Sequence, residues 1–379
     1  MLRLATPALS PDGGSRLARD LRIDVLRGLA LLTIFIDHVP DNPLTLLTLR
    51  NFGFSDAAEL FVMLAGISAM FAYGKGFERD GAKQGLWRVF RRCGRIYVFQ
   101  IGLLFSTLLI ALLWRAQFGL EPVNLTLFFE MPATAIPRAL ALHALPPSLN
   151  ILPLYIVVLA AFPLFYLGLR HAPRLTIAAS ILMWVGANLD HSFNLTNWLD
   201  GRGWFFNPFA WQFLFLLGML TAVLLRAHGG HLPTHRLLLG AAWAYLALSL
   251  VLAAPWAGWG LADFHVLAIE PPDKTALAPL RLLNVLALMY VALSSERLRR
   301  LAGAAWLRPL VACGKHSLEV FSFSTLLVLV FRLLFHTYGA DLLLEIAVNV
   351  IGIGAMVALG LWLERAKQPG TPRAAVAIG

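Results

Sequence analysis

The chain has 379 residues, of which 59% are hydrophobic and 14% charged, with a mean hydropathy of +0.71, a combination that an ordinary soluble domain does not reach. Its formal net charge of +10 comes from 31 Lys and Arg against 21 Asp and Glu. The cations cluster in alternate connections and do not spread over a soluble face, so no nucleic-acid partner is expected. Composition predicts an all-α, polytopic integral membrane protein with the lipid bilayer as its solvent.

About twenty mostly polar residues, including Arg3, Arg16 and Arg19, precede the first apolar run. No small-residue cleavage pattern follows that run, so it is expected to remain as a true span. Runs long enough to cross a bilayer cover 21–39, 57–74, 92–114, 149–169, 174–190, 208–226, 236–256, 279–295, 314–335 and 342–363, which predicts ten helices. Lys and Arg concentrate in the N-terminal tail, the even-numbered connections and the C-terminal tail. Asp and Glu, among them Asp41, Glu121, Asp190, Asp263 and Asp341, mark the odd connections. By the positive-inside rule both termini are cytoplasmic. With no repeat or low-complexity tract in view, residues 21–364 read as one domain between tails 1–20 and 365–379. Cys93 and Cys313 fall at cytoplasmic helix ends, where no disulfide is expected.

The first run carries Arg27 and His38, eleven positions apart. In a helix that spacing sets both side chains on one stripe, about 16 Å apart along the axis. Ionisable groups at membrane depth point to function. The alternative is that Arg27 snorkels to a headgroup while His38 marks the other interface. The second run opens with NFGFSDAAELF, where Asp56 suits a helix cap and Glu59, three residues on, either completes a capping box or reaches His38 to orient its imidazole. Asp37 is a second candidate partner for that ring, disfavoured because adjacent helical residues diverge by about 100°.

The third run opens with RVFRRCGRIY. Arg88, Arg91, Arg92 and Arg95 share one helix face there, an arrangement suited to phosphate oxygens. Positive-inside anchoring explains the charge but not its phase. Further along, Asn207, Trp211 and Gln212 open the sixth run with groups suited to carbohydrate stacking and hydrogen bonding, or to an interfacial aromatic belt. Lys274 and Arg281 bracket the start of the eighth run, placed to meet an acidic acyl group or the acceptor, or else to pair structurally. His316 and Glu319 read as structural or donor-side. The loop HGGHLPTH does not put its histidines on one helix face, and no metal site is expected.

The stretches RIDVLRGLALLTIFIDHV, GFSDAAELFVMLAGISA, ILPLYIV, FNPFAWQFLFLLGM, LAPLRLLNVLA and GKHSLEVFSFS resemble those of the OpgC family, inner-membrane proteins that modify osmoregulated periplasmic glucans. That family is related to the membrane acyltransferases of family three, whose first-helix pattern of Arg, ten residues and His matches Arg27 and His38. Their basic RxxR element matches Arg88 with Arg91, or Arg92 with Arg95. The resemblance implies transfer of an acyl group, succinyl in the best-known members, from a cytoplasmic coenzyme A thioester to a periplasmic β-glucan in the bacterial inner membrane. Acyl-CoA would be a cosubstrate, not a resident cofactor. On this reading His38 is a general base oriented by Glu59 or Asp37, and Arg27, Arg88, Arg91, Arg92 and Arg95 serve the donor. Asp56, Asn207, Trp211, Gln212, Lys274 and Arg281 face the acceptor, and glucan-synthesis proteins are candidate partners. The rival reading is a polysaccharide or solute transporter, which predicts inverted repeats and interrupted helices in matching halves.

Overall fold

A computed structural model describes residues 19–119, 125–262, 270–339 and 341–367. Most of both predicted tails, with Arg3 and Arg16, lies outside the described residues, as do Glu121 and Asp263.

Ten helices occupy the ten apolar runs. They are α1 (Leu21–His38), α2 (Ala57–Arg79), α3 (Gly81–Phe118), α4 (Pro147–His171), α5 (Pro173–Leu189), α6 (Pro208–Ala227), α7 (Arg236–Ala253), α8 (Pro279–Ser294), α9 (Ser317–Tyr338) and α10 (Leu342–Lys367). Seven of them, α2, α3, α4, α6, α7, α9 and α10, are long and apolar enough to cross a membrane. In α1 the run of 18 residues also carries Arg22, Asp24, Arg27 and Asp37, while α5 and α8 have 17 and 16 residues. Besides helices, the described residues contain one isolated bridge, Thr196 with Gly203.

The edges depart from the apolar runs for local reasons. Helix α3 starts eleven residues early and reaches 38 residues, about 57 Å at the α-helical rise, because the polar stretch before Arg92 keeps good helix formers and no proline. Helix α7 stops at Ala253, ahead of Pro255, as expected for a residue preceding proline. Helix α2 holds a π-turn at Met70–Gly74, a rare element that often marks function. The ninth run divides into a short helix, Arg308–Lys315, and α9, with His316 between them. Two short helices before α4, Thr126–Glu130 and Pro132–Leu140, were not signalled by length or hydropathy.

Close packing rests on small residues, as between helices in lipid. A Cβ on Gly66 of α2 would sit 2.1 Å from the Phe215 carbonyl oxygen, and one on Gly218 of α6 would sit 2.3 Å from that of Met63. The same reciprocal approach joins α1 to the short helix before α9: Gly28 faces Leu310 and Gly314 faces Asp24. Arg22 is buried where α1 begins, bonded to Asp20 and donating to the carbonyls of Leu293 (2.6 Å) and Gly230 (2.8 Å). One guanidinium thus ties the start of α1 to the ends of α6 and α8.

Candidate active site

Helix α1 runs unbroken from Arg27 to His38, so the two side chains hold the expected axial offset. Arg27 does not project into an open channel: its Nη2 donates to the Leu64 carbonyl at 3.0 Å and to Ser68 Oγ at 2.6 Å, both on α2. At the other end His38 opens onto a cavity of about 780 Å³. Its Nδ1 lies 2.7 Å from the Ile34 carbonyl oxygen one turn back. A carbonyl only accepts, so Nδ1 carries the hydrogen, and Nε2 of the neutral ring keeps its lone pair.

The predicted contact between Glu59 and His38 does not form. Glu59 is fully buried; its Oε1 accepts from Arg281 Nε at 2.6 Å and its Oε2 from the Asp56 amide at 2.9 Å. This is the capping box at the start of α2, closed by an ion pair. Asp56 in turn accepts from Lys274 Nζ at 2.6 Å and Arg281 Nη2 at 3.0 Å. Two carboxylates and two cations thus form one chain across α2, α8 and the segment before α8, held there because an isolated buried charge is costly. Asp37 does not reach the imidazole either; its Oδ1 accepts from Thr48 Oγ1 at 2.6 Å. The group that orients His38 is a backbone carbonyl, for which the sequence carries no signal.

Asp56, Lys274 and Arg281 line the cavity wall. Asn207, Trp211 and Gln212 do not, because internal bonds consume their polar groups. Asn207 caps α6 through the Phe209 amide and donates to the Phe193 carbonyl. Trp211 is fully buried and donates to the Lys274 and Thr275 carbonyls. Gln212 is satisfied by Ser180 and Phe209. The cavity's aromatic wall is Phe205 and Phe206 just before α6, with Lys274 Nζ 5.9 and 5.7 Å from the two ring centroids. Arg50, Ser148 and Arg332, none of them singled out by spacing, also line it.

A narrow crevice of about 50 Å³ leads from His38 into the bundle between α1, α3 and α9, past Phe35, Thr107, Thr325 and Val328. On α9 its lining runs from Arg332 back to Phe321, about 16 Å of helix directed towards the arginine-rich end of α3.

At that end the four arginines differ. Arg88 pairs with Asp80 at 2.5 Å, and Arg95 pairs with Glu319 of α9. No partner side chain engages Arg91 or Arg92 among the described residues. Arg92 and Arg27 are within electrostatic reach of each other. His316 is held by Glu364, which also accepts from Lys315, a structural cluster that ties α9 to α10.

A bundle of long apolar helices with a histidine-bearing polar cavity at one end defines a polytopic membrane protein with an internal site. A family model for OpgC protein matches residues 19–368, and the chain belongs to the OpgC family. Membership implies an acyltransferase-type membrane function in glucan modification. No curated protein matches the chain.

Proposed function

We propose that this protein is a membrane O-acyltransferase that moves an acyl group, succinyl by preference, from cytoplasmic acyl-CoA to a hydroxyl of a periplasmic glucan. On this reading it makes ten crossings of the bacterial inner membrane with both termini cytoplasmic, and works beside glucan-synthesis proteins. The observation that carries the reading is the state of His38: a ring fixed by the Ile34 carbonyl, with Nε2 free beside a large polar cavity.

The donor phosphates bind Arg91 and Arg92, which no internal carboxylate engages; Arg88 and Arg95 contribute after exchanging Asp80 and Glu319 for phosphate. Arg27 braces α1 against α2 beside the donor path. The crevice opens to take the pantetheine arm, which presents the thioester beside His38. The glucan occupies the cavity against Phe205 and Phe206, with polar contacts from Asp56, Lys274 and Arg281. His38 Nε2 takes the proton of a sugar hydroxyl as its oxygen attacks the thioester carbonyl. The tetrahedral intermediate collapses, the C–S bond breaks, and the leaving thiolate recovers the proton from the imidazolium. Ester and free coenzyme A result, with no acyl-enzyme stage. Glu59 and Asp37 serve this scheme by fixing α2 and the segment after α1, without touching the ring.

The test is acyl transfer to glucan from succinyl-CoA and acetyl-CoA by membranes carrying wild type or His38→Ala at equal abundance. Loss of about 10²-fold or more with coenzyme A binding retained is the expected result. Undiminished transfer by the variant would remove His38 from the mechanism.

A further inference from the structure

His38 and Arg332 both line three openings at this end of the bundle: the large cavity, the narrow crevice, and a shallow vestibule of about 660 Å³ between Asp37 and Thr45. Arg332 belongs to α9, six residues before its end at Tyr338. Three acids face the same space: Asp37 is bonded by Thr48 and Asp56 by Lys274 and Arg281, while Asp41 lines the vestibule and makes no ion pair with Arg332. Among the described residues no carboxylate, carbonyl or hydroxyl bonds the Arg332 guanidinium. The Arg332 side chain is exposed at the mouths of these openings, and a guanidinium there with no bonded counter-charge is placed to take an anionic ligand.

Which ligand follows from the crevice. Its volume of about 50 Å³ is too small for a sugar ring and must widen even for a linear chain, and its residues shared with the large cavity include His38 and Arg332. A thioester delivered through it meets His38 at the mouth, and the acyl group reaches on towards Arg332. In a succinyl group the free carboxylate carbon is three C–C bonds from the thioester carbonyl carbon, about 4 Å. Building on the acyl-transfer reading, we infer that Arg332 is the residue that selects a carboxylate-terminated acyl group, gripping that carboxylate while His38 acts at the carbonyl. An acetyl or butyryl chain leaves the guanidinium unmatched. A dicarboxylic chain satisfies it with two parallel N–H···O bonds.

The experiment compares full-length wild type, Arg332→Gln and Arg332→Lys, each in membranes at equal abundance, with succinyl-CoA and butyryl-CoA as donors and free coenzyme A as inhibitor. The expected result for Arg332→Gln is a fall of about 30-fold in the preference for succinyl over butyryl, read as the ratio of kcat/KM values. Inhibition by free coenzyme A stays at the wild-type value, and Arg332→Lys recovers part of the preference. An equal fall with both donors would overturn the assignment, because it would put Arg332 on the acceptor or in the fold. Undiminished preference in Arg332→Gln would overturn it as well, leaving a snorkelling side chain. Transfer by wild type from neither donor would overturn the acyl-transfer reading itself, and this assignment with it.

Discussion

Glu59 is at once a capping residue, a buried charge and a neighbour of the cavity. Its bond to Arg281 compensates both groups, and Glu59→Gln leaves that buried guanidinium with only Asp56, itself shared with Lys274, as counter-charge. Stability should fall by about 3 kcal/mol, seen as a lower melting temperature in detergent and reduced abundance. A Glu59 acting only on the His38 ring would lower kcat and leave stability unchanged, so the two assays together decide its role. The arginines of α3 separate by the same logic. Arg92→Gln should raise the donor KM about tenfold, whereas Arg88→Gln, whose guanidinium is already shared with Asp80, should raise it less. Equal effects at both positions would mean that the Asp80 contact opens freely. Asn207→Ala should cost about 1 kcal/mol through the lost cap and leave the acceptor KM unaltered.

At the scale of elements, contact between α2 and α6 depends on two glycines that each press against a backbone carbonyl. Neither side can yield by rotating a side chain, so Gly66→Leu must push the helices apart. A loss of several kcal/mol follows, checked by thermal unfolding of the purified protein; a melting temperature within two degrees or so of wild type would refute the close approach. All ten apolar runs are helices because span length and hydropathy are local properties that need no knowledge of the partner. The site is legible only in part, for the opposite reason. Lys274 meets Asp56 across 218 positions and Arg281 meets Glu59 across 222, and no local spacing announces either contact. His38 stood out because its helix is apolar. Arg332 did not, since a cation near a helix end looks like an ordinary interfacial anchor. Trp211 misled because aromatic rings suited to sugars equally suit a buried helix junction.

For the whole molecule, the alternation of charged connections predicts which loops face which compartment, and single cysteines test it. Cys93 and Cys313 are buried, so background labelling should be low. Asp41→Cys should react with a membrane-impermeant maleimide on cells whose outer membrane is permeabilised, and Arg79→Cys should react only after the inner membrane is opened. The reverse pattern would invert the protein and set the arginine stripe away from cytoplasmic coenzyme A. The fold also separates its polar groups across its depth. The arginine stripe lies at one end, the imidazole at the other, and a narrow crevice leads inward from the histidine side.

The buried Arg22 links the first helix to residues made much later. Its acceptors, the carbonyls of Gly230 and Leu293, lie 208 and 271 positions downstream. During synthesis the helix that carries His38 emerges well before α6 and α8, yet its anchoring guanidinium has no partner beyond the Asp20 carboxylate until the segment after α6 emerges, and lacks its second carbonyl until α8 is complete. Helix α1 is therefore born early and locked late. A chain interrupted before α8 would hold His38 in an unfastened helix, so assembly itself delays the setting of the cavity wall until most of the protein exists.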